Sequence, residues 1–413
     1  MRNFIILAAL FCVAFTTAQA QKKGSSIQSS MQNAVELIKK KDFAKAGDIL
    51  IELQKKNPAD TQILFLLGKS LSAQGKNVQE IEVYDKFLKQ FPNNNAVIAA
   101  KGRALTKAGR LNDAAIVFKK ALEKDSISAD LWYEFGMTYL TGEYFESAAY
   151  SFQKAVQYKP EWSAAYAGLG RAYAGMNYFD TAAIAYKKSL DLDSTNPELW
   201  CSFGNCLNRL LKFSSAIPAY QKALFLKNDY AEAFNGVGMS YYGLDKADSA
   251  IASFNAAIVH SPKTASYYHN AGLAYLSVPD TIMALRFFKN ALMIDSMHVK
   301  SLFNMGLTLH YAAQDSAALP YIEKAAQLSP SDPLIWYTMG IIHADLGDGI
   351  KAMGFWQKAV EIDSNRAEIW LAMGKLYESS GSSTQQIKMF RKAARLGNIQ
   401  AREFLKSRNE NWD

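Results

Sequence analysis

The residues that could do chemistry in this 413-residue chain are five histidines, three cysteines and a run of asparagines and arginines. His260, His269, His298, His310 and His343 could ligate a metal or carry a proton. No two are four residues apart, and none belongs to a His-Glu-x-x-His zinc motif. His269 and His310 are expected on an open face, with no acidic cluster beside them, so no metal site is expected. Cys201 and Cys206 would lie about 8–9 Å apart on a helix, beyond disulfide reach. Cys206 should point inward and Cys201 toward a groove. There is no Gly-x-Ser-x-Gly elbow and no phosphate-cradling glycine loop. The chain therefore reads as a non-enzyme without a cofactor.

The asparagines offer binding chemistry instead. An amide can donate to a peptide carbonyl and accept from a peptide N–H together. Asn205, Asn208, Asn235, Asn270 and Asn304 could grip an extended backbone, assisted by Arg103, Arg171 and Arg209. Tyr133, Tyr242, His269, Phe303, His310 and Tyr337 complete the candidate surface, and the apolar stretch from Leu273 to Ile341 is either a docking patch or partly internal packing.

What must position them is a repeat. Gly68, Gly102, Gly136, Gly170, Gly204, Gly238, Gly272, Gly306, Gly340 and Gly374 stand 34 residues apart. A large residue lies four before each glycine, such as Trp132 or Trp336, and another three after it, such as Tyr139 or Tyr173. Those spacings share one helical face. A mid-helix glycine costs about 1 kcal/mol, so another element must approach there. The second helix of each unit carries the matching small residues, Ala148 and Ala155 or Ala250 and Ala257, around a knob such as Phe152 or Phe254.

The best copy reads Trp132, Phe135, Gly136, Tyr139, Ala148, Phe152, Ala155, Pro160, and it closely resembles the tetratricopeptide repeat. The resemblance implies an all-α, right-handed superhelical solenoid of about eleven helix-turn-helix units over 27–400, with a capping helix over 401–413. It also implies that the first helices line a concave surface on which a protein or extended peptide is held. The asparagine-and-lysine clamp of some relatives is incomplete, since Cys201 stands four residues before Asn205. Pro218 and Pro320 are expected within the first turn or so of their helices.

Residues 1–20 resemble a signal peptide, with Arg2, an apolar run from Phe4 to Phe15, and Ala18-Gln19-Ala20 as a cleavage signature. A lipid anchor and an uncleaved membrane anchor remain alternatives. Residues 21–26 would be a short tether, and the mature chain would reside in a bacterial periplasm, with outer-membrane association or secretion left open. The net charge of +8 is mild, and Lys119-Lys120 or Lys187-Lys188 suit a solvated outer face. No motif supports nucleic acid; membrane contact and oligomerisation stay open. The expected function is a protein- or peptide-binding scaffold in a cell-envelope assembly. The alternatives are a chaperone for extended export cargo and a glycan- or peptidoglycan-associated adaptor. Trp132, Trp200, Trp336 and Trp370 at core positions count against the last.

Overall fold

The computed structural model describes residues 27–412. The proposed signal peptide and tether lie outside them. The described chain is all-α, with twenty-three helices from 27–39 to Ile399–Ser407. They form about eleven consecutive helix-turn-helix pairs, for example Ala129–Thr141 with Phe145–Tyr158, and Ala231–Gly243 with Ala247–His260. No described helix is long and apolar enough to cross a membrane. The chain divides into two compact units, one ending at Cys206 and the other beginning at Leu207.

In nine of the pairs a knob closes on a glycine. A Cβ on Gly136 would stand 2.9 Å from the Phe152 ring, one on Gly102 2.1 Å from Phe118, and one on Gly238 2.6 Å from Phe254. The partner is always the residue sixteen places on. Phe152 is enclosed from two sides, because a Cβ on Gly168 of the next repeat would also stand 2.5 Å from its ring. The alanines bracketing the knobs, Ala148, Ala155, Ala250 and Ala257, are fully buried. Burying a phenylalanine contributes roughly 1.5–3 kcal/mol, which offsets the glycine's propensity cost of about 1 kcal/mol.

The turn inside each pair is equally regular. A residue with positive φ recurs every 34 positions: Lys41, Gly75, Gly109, Glu143, Asn177, Leu211, Asp245, then Ala313, Gly347 and Gly381. The following N–H reaches back to the last turn of the helix, as in Tyr144 to Tyr139 O and Asp348 to His343 O, at 2.9 and 2.8 Å. This is the left-handed helix-ending motif that satisfies orphan carbonyls. Only four of the ten residues are glycine. Pro279 occupies the position in the eighth repeat, where its ring forbids positive φ, yet Asp280 N–H still reaches Tyr275 O at 3.0 Å.

Several expectations change. Pro218 and Pro320 are each the sixth residue of their helices, Phe213–Leu226 and Asp315–Leu328. They therefore sit in the second turn, where proline removes an intrahelical bond. Trp132, Trp200, Trp336 and Trp370 are half-buried rather than core. Each turns its indole N–H onto the carbonyl six residues earlier, Trp132 to Ser126 O and Trp336 to Pro330 O at 2.8 Å, Trp200 to Ser194 O and Trp370 to Ser364 O at 2.9 Å. A buried indole needs such a partner, and the inter-repeat turn supplies it. The last helix runs from Ile399 to Ser407 behind an Asn398 cap. Trp412 then packs back on the Phe390–Phe404 cluster, held where Arg395 Nε donates to its carbonyl at 2.6 Å.

Candidate functional site

The candidate residues lie on first helices, and several are spent on ties between one first helix and the next. In the first unit, Arg103 reaches Glu134 at 2.5 Å, Thr106 meets Thr138 at 2.9 Å, and Lys107 donates to Ser72 Oγ at 2.6 Å. Burial pushes the Glu134 carboxyl above its ordinary value, and Arg103 partly opposes that shift. Burial likewise raises Glu80, opposed by Ser72, Lys107 and Arg103. Tyr133 is half-buried against Trp162, ring centroids 4.5 Å apart, and burial raises its phenol. Arg171 is exposed.

In the second unit the asparagines divide by role. Asn208 is consumed internally: it donates to Tyr220 Oη and Gly236 O at 3.1 and 3.2 Å and accepts from Ser240 Oγ at 2.7 Å. Asn304 bonds its own helix at Lys300 O, 3.0 Å away. Asn270 donates to Asn235 Oδ1 at 2.8 Å, joining two adjacent first helices. That bond leaves the amide N–H groups of Asn235 and the carbonyl of Asn270 at the half-exposed surface. These are the donor and acceptor that a peptide backbone requires. Asn205 and Arg209, both exposed, sit on Pro197–Arg209, the helix at which one unit gives way to the other. The five asparagines are thus not one equivalent ladder.

The apolar stretch is mostly packing. Leu273, Leu276 and Phe303 lie against the core of the eighth to tenth repeats, and Tyr337 and Ile341 against the next cluster. Tyr242 packs beside Phe254. Cys201 is buried like Cys206, not turned toward a groove. His269 is buried too, at 4% exposure, its Nδ1 3.3 Å from Ser301 Oγ, which lies 2.7 Å from His298 Nδ1. Burial, then the neighbouring His298 and Lys300, lowers His269 to about 4. His310 does have acidic company, contrary to the sequence reading: Asp315 follows it across the turn and Asp345 comes from the next repeat. The sequence hid this because one partner is 35 residues away.

Two models of the tetratricopeptide repeat match the chain, one over 32–95, 99–161 and 207–275, the other over 163–196 and 367–396. The chain is a tetratricopeptide repeat protein. No curated protein matches its sequence. Among solved structures, this tetratricopeptide repeat protein is similar to YrrB, described as a TPR protein with an unusual peptide-binding site. They share 26% identity over 45% of this chain and 95% of that one, with a TM-score of 0.39. It is also similar to yeast Tom70, with 13% identity over 93% and 96% of the chains and a TM-score of 0.49. The human IFIT1 dimer with PPP-AAAA shows 15% identity over 82% and 91% of the chains, with a TM-score of 0.46.

Proposed function

We propose that this protein is a non-catalytic scaffold that holds a protein or extended peptide along its first helices. On this reading it is exported by residues 1–20 and serves an envelope assembly in a bacterial periplasm. The observation that carries the binding role is the Asn235–Asn270 pair. Its inter-helix bond ties the two amides together, and both residues are half-exposed. Preorganised amides bind a backbone without first losing side-chain entropy. Arg103 and Lys107, braced by Glu134 and Ser72, extend the same kind of surface in the first unit.

The chaperone alternative asks for an exposed apolar stripe, and Leu273, Leu276 and Phe303 are instead packed on the core. It therefore rests on the amides alone. A pull-down from an envelope extract with wild type and the Asn235→Ala, Asn270→Ala variant tests the scaffold reading. A partner captured by wild type and lost from the variant is the expected result. An identical set of captured proteins would remove the amide pair from the binding surface.

A further inference from the structure

We propose that His310, Asp315 and Asp345 form a binding site for a divalent transition-metal ion of the zinc type. His310 is in the last turn of Val299–Tyr311, Asp315 is the first residue of Asp315–Leu328, and Asp345 is the last residue of Pro333–Asp345. All three belong to the second unit. Each offers a ligand atom within 4.8 Å of the other two.

The arrangement of protons points to a cation. His310 Nδ1 lies 2.6 Å from Asp315 Oδ1, so that nitrogen donates its hydrogen to the carboxylate. In the neutral imidazole the other nitrogen, Nε2, presents a lone pair, and it faces Asp345 Oδ2 at 3.8 Å. Two electron-pair donors confront each other across a gap too long for an N–H···O bond. A zinc ion at about 2.1 Å from each would fit that gap with an angle near 130°. Asp315 would then do what carboxylates commonly do behind a metal-bound imidazole, fixing its tautomer and orientation.

The surrounding field favours a cation as well. Val299–Tyr311 and Pro333–Asp345 both end at the cluster, and their two partly negative C-termini outnumber the one partly positive N-terminus there, that of Asp315–Leu328. Lys351, the lysine nearest Asp345 in sequence, is tied to Asp348 at 3.1 Å. His310 and Asp315 are 12% and 18% exposed and so held in place, while Asp345 at 56% leaves the site open to water ligands. Nor are these residues general features of the repeat. The equivalent positions one repeat away are Leu276 and Ala344, Thr281 and Gly349, and Tyr311 and Ser379. The site would clamp the turn of the ninth repeat to the first helix of the tenth.

Calorimetric titration of the chelator-treated full chain with zinc chloride alone, at pH 7.5, tests this. One equivalent is expected to bind in the micromolar range, with Asp345→Asn and Asp315→Asn each weakening it at least about 10-fold. Zinc should raise the melting temperature of wild type and not of Asp345→Asn. Asp345 is largely solvent-facing, so its variant should melt as wild type does in the absence of zinc. The proposal is overturned if no zinc binds, meaning that a proton alone fills the gap, or if Asp345→Asn binds zinc as wild type does.

Discussion

Acidification from pH 7.5 to 4.5 is expected to weaken the eighth and ninth repeats through His269. This imidazole is 4% exposed, packs 5.6 Å from the Phe288 ring, and shares Ser301 with His298. Its value falls from 6.5 to about 4, chiefly through burial. Above pH 6.5 the imidazole is neutral in folded and unfolded chains alike, and the group has no effect. As pH falls below 6.5 the unfolded chain takes up a proton that the folded chain resists, so stability drops until about pH 4, where both are charged. The gap between those two values corresponds at most to about 3 kcal/mol, and most of it is spent by pH 4.5. His298 is lowered as well, by burial first, so its protonation works in the same direction. Half-exposed carboxylates such as Asp42 and Asp348 also titrate in acid, lowered by the side-chain and backbone N–H hydrogen bonds of Lys45 at Asp42 and by the backbone and side-chain ones of Lys351 at Asp348. They are common to wild type and variant and cancel in a comparison. Long repeat arrays open locally rather than all at once, so the assay is hydrogen exchange in Ala265–Ser277, read in wild type and His269→Gln from pH 7.5 to 4.5. After correction for intrinsic exchange, protection should fall about 10- to 100-fold more in wild type. Parallel pH profiles for the two proteins would refute the argument.

Three further outcomes follow from the packing and the backbone. Gly136→Ala places a methyl 2.9 Å from Phe152 and should cost about 1–2 kcal/mol net. Gly354→Ala meets nothing within 4 Å and should gain up to about 1 kcal/mol; equal shifts in urea midpoint would contradict the knob argument. Leu211 holds φ at 58° while 74% exposed, so Leu211→Gly should raise stability by about 0.5–1 kcal/mol. A lowered midpoint there would show that the leucine is held by packing rather than tolerated.

The period, the pairing and the knob were legible because each is written within one 34-residue copy. The glycine, its neighbours on the same face and the aromatic sixteen places on lie in one stretch of sequence. What stayed hidden joins one copy to the next. Asn235 and Asn270 are 35 apart and occupy different positions in their repeats, so aligning copies separates them. Asp345 stands equally far from His310. The left-handed turn residue keeps its spacing but varies among Lys41, Glu143, Leu211 and Ala313, so residue type gave no signal there. Pro218 and Pro320 were misplaced by a turn because a helix start is defined by its cap, not by the repeat length.

The knob that locks each pair has a consequence for how the chain reaches its structure. Its ring and its glycine are sixteen residues apart, and the side-chain bonds between repeats span no more than 35. Closing such short loops costs little chain entropy, and a low contact order goes with rapid folding. No pair has to wait for a distant part of the polypeptide. Assembly can begin at any strong copy and spread outward, and removing or adding a 34-residue block would disturb only the ties at its two borders, such as Arg103–Glu134 or Asn235–Asn270. Length is therefore the property of this molecule most easily altered in discrete steps.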